Sequence, residues 1–329
     1  MKIGKLNWDD LNSIIDNNRG SIRDDIRIRG GIGEDCSVIN FGDYECVVST
    51  DPITGADHNS GKLAVHINCN DIASSGVEPI GILVTILAPE TCSLYDIKSL
   101  MSDINEETKK LNIEVLGGHT EVTSAVNKMI VSCTIIGKGK RNSAVSTSGA
   151  LPGDDIVVTK KLCLEGTSII VNDYEEKVKG ILTPEEIQKA KNYTEYLSVV
   201  KEGIIAGKFK VNSMHDITEG GVLGALWEVS EASKLGFKVY SERMPLSSIT
   251  KKLCNRYNID PLRFISSGSM LITTHNGEKL IKELNKSGIS GTIIGEIIKD
   301  GHILVKSNKE EIVTPPERDE LFDFHEKML

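Results

Sequence analysis

Apolar positions along this chain switch repeatedly between a period of two and a helical period. Glu45 to Thr50 is a short apolar run of strand type, Lys62 to Ser74 has helical spacing, and Gly81 to Ala88 is strand-like again. Ser93 then opens the clearest helix. It is a plausible N-cap, Leu94, Ile97, Leu100, Met101, Ile104 and Leu111 follow near helical spacing, and Lys109 and Lys110 close the last turn where the helix dipole favours cations. Ile113 to Leu116 predicts a strand leading into Gly117-Gly118, and Met129 to Ile136 another.

Arg141 to Ala150, rich in Ser, Thr, Gly and Ala and followed by Pro152-Gly153, has the composition of a connection. Beyond it come a strand at Asp155 to Thr159, a charged helical stretch from Pro184 to Lys208, a helix at Gly221 to Lys234 and a strand at Met270 to Thr274. Pro315 to Leu329 is polar and acidic, either a short docked helix or a frayed tail. A chain of 329 residues is long for one core, so the alternation predicts an α/β (α+β) protein of two domains, residues 1–150 and 151–329.

Composition narrows the class. With 39% hydrophobic and 26% charged residues and no apolar run of bilayer length, the chain is expected to be soluble rather than membrane-bound. Met1 to Ile15 has no signal-peptide pattern, which predicts a cytoplasmic location. The formal charge of -9 opposes binding to nucleic acid or to an anionic lipid surface. The seven cysteines form no Cys-x-x-Cys pair, so they read as reduced, mostly buried small hydrophobes and not as a zinc or disulfide framework.

The chemistry lies in acids set beside glycine or at strand ends. Gly30-Gly31-Ile32-Gly33-Glu34-Asp35 is a flexible loop ending in two carboxylates; Ser49-Thr50-Asp51 ends an apolar strand; Asn70-Asp71 interrupts an apolar helix. Gly117-Gly118-His119-Thr120-Glu121 and His215-Asp216-Ile217-Thr218-Glu219-Gly220-Gly221 complete the series. Hard cations such as magnesium take oxygen ligands, commonly one or two carboxylates together with substrate phosphates, and glycines let backbone N–H groups approach those phosphates. Each acid alone reads as a turn residue, a helix cap or a solvated carboxylate, and the first loop is neither a Walker A sequence nor a dinucleotide fingerprint.

Taken in order, Ile32-Gly33-Glu34-Asp35, Ser49-Thr50-Asp51, Gly61-Lys62-Leu63-Ala64 running into Asn70-Asp71-Ile72-Ala73-Ser74-Ser75-Gly76-Val77-Glu78-Pro79, Gly117-Gly118-His119-Thr120-Glu121 and Asp216-Ile217-Thr218-Glu219-Gly220-Gly221 resemble the aminoimidazole ribonucleotide synthetase-related superfamily. That group includes the synthetase, selenophosphate synthetase, thiamine-monophosphate kinase and the hydrogenase-maturation carbamoyl dehydratase. The resemblance implies an N-terminal α/β domain whose sheet forms a barrel with that of a second subunit, a C-terminal α/β domain beside it, and ATP bound with Mg2+ in a cleft of the first. On the matching positions, Asp35, Asp51 and Asp71 would hold magnesium, with Asp216 a further ligand. Thr50 and Asn70 would support them. Gly117, Gly118, Thr120 and Glu121 would lie against the nucleotide, and Lys62 would either offset phosphate charge or be a solvated helix lysine. His119 stands where relatives carry an acid, and reads equally as a phosphate or substrate contact and as a structural histidine.

Met214 to Gly236 and Gly61-Lys62-Leu63-Ala64 resemble the hydrogenase-maturation branch most. Two features depart from it. That branch modifies a cysteine at its own C-terminus, whereas the last cysteine here is Cys254, and an expected Asn-Glu-Gly reads Ser266-Ser267-Gly268. Residues 1 to 30 hold no cysteine of the selenophosphate type. The resulting expectation is an ATP-dependent enzyme, homodimeric, acting on a small molecule or a carrier protein, with a nucleotide-binding regulatory protein and a thiamine-monophosphate kinase as alternatives.

Overall fold

The computed structural model describes residue 6 and residues 8–16, 18–54, 59–315 and 318–328. The first half contributes strands β1 (Ile26–Ile28), β2 (Ser37–Phe41), β3 (Tyr44–Ile53), β4 (Glu78–Ala88), β5 (Glu114–Val122) and β6 (Ile130–Lys140), with helices α1 (Trp8–Asp16), α2 (Ser60–Ser74) and α3 (Leu94–Leu111). The second contributes β7 (Asp155–Thr159), β8 (Ser213–Ile217), β9 (Gly236–Tyr240), β10 (Ser269–Thr274), β11 (Gly291–Ile298), β12 (His302–Lys306) and β13 (Lys309–Ile312). Its helices are α4 (Leu164–Asp173), α5 (Glu175–Val178), α6 (Pro184–Lys191), α7 (Val200–Phe209), α8 (Gly221–Ser233), α9 (Ser248–Tyr257), α10 (Gly277–Lys286) and α11 (Glu320–Met328).

Each half builds its own sheet. The first is six-stranded in the order β1-β2-β3-β6-β4-β5, antiparallel except for the β4–β5 pair. The second has seven strands in the order β13-β12-β9-β11-β7-β10-β8, again mostly antiparallel, with β12 and β9 parallel. The architecture is thus α/β of the mixed kind. Within one chain the first sheet is open, with β1 and β5 at its edges, so a barrel is not closed by a single copy.

Helix α2 explains how the halves join. Its apolar positions face all ways, with Leu63, Ala64, Val65, Cys69, Ile72 and Ala73 all buried, which marks a helix covered on every side. One side lies on β3 and β6, the other meets α7 and β8 of the second half. The α2–α7 crossing is close: a side chain at Gly203 would put its Cβ 2.2 Å from the Ala73 carbonyl.

Helix α3 begins with the expected serine cap, and Ser93 and Asp96 form a reciprocal capping box. Two elements differ from the sequence reading. The helix expected from Pro184 to Lys208 breaks into α6 and α7, because the Asn70 side chain captures the chain at the break, accepting from Val199 N and donating to Leu197 O, both at 2.8 Å. Strand β5 continues through Gly117-Gly118 to Val122, since Gly117 at φ 144° and Gly118 at φ 150° carry the extended chain past β4. A Cβ on Gly118 would lie 1.8 Å from Val84 O. The acidic tail is the docked helix α11, held by the buried Phe324 against Tyr174 and Tyr257. No helix among the described residues is long and apolar enough to cross a membrane, and all seven cysteines are free.

Candidate functional site: a carboxylate cleft at the domain junction

Four acids from four elements meet beside the first sheet. Asp35 follows the Gly30–Gly33 loop, Asp51 lies on β3, Asp71 near the end of α2 and Asp216 on β8. The loop is set by Gly33 at φ 74°, where a Cβ would come within 2.3 Å of the Glu228 carbonyl on α8, so only glycine allows this approach. Asp35, Asp51 and Asp71, with Ser37, Ser49, Thr50 and Thr134, line a cleft of about 480 Å3.

Asp71 is the most constrained of the set. It is 4% exposed and takes a hydrogen bond from Ser49 Oγ at 2.6 Å. Burial pushes its carboxyl well above the usual range, and the charges of Asp216, Asp51 and Asp35 push the same way. Asp51 is fixed through its backbone by Asn68, whose side chain accepts from Asp51 N at 3.0 Å and donates to Asp51 O at 3.3 Å. Thr50, which also lines the cleft, bonds Cys133 O at 2.9 Å and receives Thr134 Oγ1 at 3.0 Å.

His215 stands behind the acids. Its Nδ1 is 2.6 Å from the Asp216 carbonyl, an acceptor only, so that nitrogen carries the proton; the same atom lies 3.5 Å from Asp35 Oδ2, and Nε2 lies 3.3 Å from Glu228 Oε2. Burial would pull the imidazolium down, but Asp35, Glu228 and Asp216 outweigh it and raise its pKa to about 9. Donor atoms of Asp35, His215 and Asp216 lie within 4.8 Å of one another, a spacing that suits a metal ion. With Nδ1 already donating, His215 is a hydrogen-bonding prop, and the carboxylate oxygens are the atoms that could hold a metal ion. An all-oxygen, multiply anionic set fits a hard divalent cation such as magnesium, whose charge offsets the repulsion that raises Asp71.

Other residues singled out in the sequence lie elsewhere. Asn70 spends its amide on Leu197 and Val199 and is a bracket between the halves, not a support for the acids. Lys62, in the first turn of α2, pairs with Glu195 and stands 3.9 Å from Glu107, which also holds the buried His66 at 3.0 Å. Nine residues of helix separate it from Asp71, roughly 13 Å along the axis, so its charge is not delivered to the cleft. Gly117, Gly118, His119, Thr120 and Glu121 occupy the exposed edge strand β5. Gly118 aligns with Val84, Val84 with Cys133 and Cys133 with Asp51, so three strand spacings, about 14 Å, separate them from the acids. There His119 Nε2 meets Glu121 Oε2 at 3.0 Å, with His119 exposed.

Sequence reasoning missed Ser49, Asn68, His215 as a partner of Asp35, Glu228 and Glu165. Ser49 and His215 adjoin residues that were singled out; nothing in the spacing marks Asn68. Glu165 is a buried carboxylate whose Oε2 accepts from Ser267 N at 3.3 Å. It therefore sets an acid beside the position where the resemblance expects one and the chain has serine.

Comparison with known proteins identifies the family. Residues 33–138 match the AIR synthase related protein N-terminal domain and residues 152–307 the AIR synthase related protein C-terminal domain. A Methanocaldococcus jannaschii protein named for hydrogenase expression/formation is 29% identical over 290 residues, 83% of each chain. Thiamine-monophosphate kinase of Pyrococcus abyssi is 26% identical over 294 residues, 86% of this chain and 87% of its own. The crystal structure of hydrogenase maturation protein HypE in complex with ATP superposes with a TM-score of 0.71 at 17% identity, covering 94% of this chain and 92% of that one. The two domain matches, the two open sheets and the junction of acids place this chain in the AIR synthase-related family.

Proposed function

We propose that the chain binds ATP with magnesium at the carboxylate cleft and uses it to activate or phosphorylate a small or carrier-bound substrate, as in hydrogenase maturation. The observation that carries this reading is the convergence of Asp35, Asp51, Asp71 and Asp216 with Asp71 buried among them. The ATP complex of a protein of the same fold supports the choice of nucleotide, and the kinase among the relatives supports turnover.

Asp35, Asp51, Asp71 and Asp216 would hold magnesium, which when bound neutralises phosphate charge as it develops. The chain's own residues supply position. Ser49 orients the Asp71 carboxylate, Asn68 fixes the backbone of Asp51, and His215 ties the Asp216 backbone to the loop of Asp35. Strand β5 exposes Leu116 and Val122, and β4 exposes Ile80 and Leu83. A second copy packed on this face, completing the barrel, would let Gly117, Gly118, His119, Thr120 and Glu121 take part in a nucleotide site; L116E should then turn a dimer into a monomer in sedimentation velocity.

The serine at 267 favours a second reading, a nucleotide-binding regulatory protein without turnover, although Glu165 offers a carboxylate at that place. Kinase activity on thiamine monophosphate is the third. ADP release from Mg-ATP, alone and with carbamoyl phosphate, thiamine monophosphate or formylglycinamidine ribonucleotide, separates them. Stimulation by one compound identifies the acceptor class; tight binding with no release under any condition favours the regulatory reading.

A further inference from the structure

The Gly30–Asp35 loop divides two cavities, for Asp35 lines the carboxylate cleft while its neighbour Glu34 lines a second pocket of about 610 Å3. This pocket lies between α1, the loop, the Ser146–Ser148 segment and the later turns of α8. Arg19, Arg27, Arg29 and Lys234 line it, Arg27 paired with the buried Glu45 and Lys234 with Glu231. Three acids line it too, yet two of them are engaged. Glu231 pairs with Lys234 at 3.1 Å, and Glu34 takes hydrogen bonds from Ser146 Oγ at 2.5 Å and Thr147 N at 3.3 Å. Asp9 on α1 is the third.

Two buried donors in its wall have no acceptor among the described residues. Arg27 uses one terminal nitrogen on Glu45 Oε2 at 2.7 Å and Ala144 O at 3.0 Å, but its Nε is buried and makes no hydrogen bond. Trp227 is 9% exposed, and its Nε1–H is likewise buried without an acceptor. Its ring is held at a centroid distance of 3.9 Å by His302, which in turn bonds Ser230 Oγ at 2.7 Å, so the indole cannot turn to seek one. A buried N–H left unmet is destabilising, and both of these belong to side chains lining one pocket that also carries Arg29.

We propose that this pocket is a second anion site, taking a small molecule with phosphate or carboxylate oxygens that accept from Arg27 Nε and Trp227 Nε1 and lie near Arg29. It is separate from the carboxylate cleft, whose own charge repels such a ligand. The protein reports on it directly, because its two tryptophans, Trp8 and Trp227, both line this pocket. Full-length protein without nucleotide or magnesium is titrated with inorganic phosphate and with succinate, against potassium chloride at matched ionic strength, following tryptophan emission. A saturable change with at least one anion is expected, and which anion acts distinguishes phosphate from carboxylate ligands. R29Q and W227F, the latter read through Trp8, should each weaken binding tenfold or more, about 1.4 kcal/mol. D71N should bind the anion as wild type does while losing Mg-ATP, so failure of one site is told apart from failure of the other. No saturable change with either anion, wild-type affinity in both R29Q and W227F, or loss of anion binding in D71N would each overturn the assignment.

Discussion

Replacing Asp71 by Asn tests the cleft in two opposite directions. Without metal, Asp71 is a buried carboxylate facing Asp216, Asp51 and Asp35, and repulsion from one ionised neighbour is worth on the order of 2 kcal/mol at an effective dielectric near 20. The amide keeps an oxygen to accept from Ser49 and removes the charge. With unfolding entropy of about 2.1 cal/mol/K per residue, 329 residues give about 0.7 kcal/mol/K, so relief of about 2 kcal/mol raises Tm by roughly 3 °C. The sign follows from linkage. The folded carboxyl is raised, so the folded state holds a proton that the unfolded state releases. Wild type therefore loses stability as pH climbs from the ordinary carboxylate range through the raised value, and D71N should lose less. With Mg-ATP at a hundred times its Kd, wild type gains about 2.7 kcal/mol, or roughly 4 °C, while D71N should gain almost nothing. Differential scanning fluorimetry in chelator and in Mg-ATP reads both arms. A variant no more stable than wild type in chelator would refute the charge argument, and an undiminished shift with Mg-ATP would refute the ligand assignment.

Other substitutions probe the frame. G118A places a methyl group 1.8 Å from Val84 O and should cost several kcal/mol in urea unfolding, or distort the β4–β5 pair. N70A leaves Val199 N and Leu197 O without their partners and should destabilise by about 2–4 kcal/mol while nucleotide Kd changes little, measured by denaturation beside isothermal titration. Asp319 accepts from Gly220 N at 2.7 Å and Leu321 N at 2.8 Å, and burial pushes it up to about 7. Its contribution should fall as pH rises from about 4 to about 7, by about 4 kcal/mol in full, and the Tm of D319N should fall less steeply over that window.

Much of this was legible in the chain because it is local. Helix α3, β3 and the acids beside glycine declared themselves through period, cap and turn chemistry, and Asp35, Asp51, Asp71 and Asp216 do converge. What remained hidden depends on contacts distant in sequence. Gly117-Gly118 reads as the end of a strand until β4 lies beside it, when the absence of Cβ lets the strand run on. Asn70 is inseparable from Asp71 in the sequence, yet along a helix adjacent side chains diverge, and its partners are 127 and 129 residues away. Lys62 shares a helix with Asp71 but not a neighbourhood, and Glu165 comes to Ser267 across 102 residues.

Gly33 pressed against the Glu228 carbonyl has a consequence for how the two halves behave as pieces. The loop that presents Asp35 belongs to the first sheet, and its backing, His215, Asp216 and Glu228, belongs to the second. A chain cut between Lys140 and Asp155 would leave each fragment with part of a site and no means to assemble it alone. Mixed together, the fragments should recover nucleotide binding only where they reassociate, so the same contact that completes the cleft would act as glue between them.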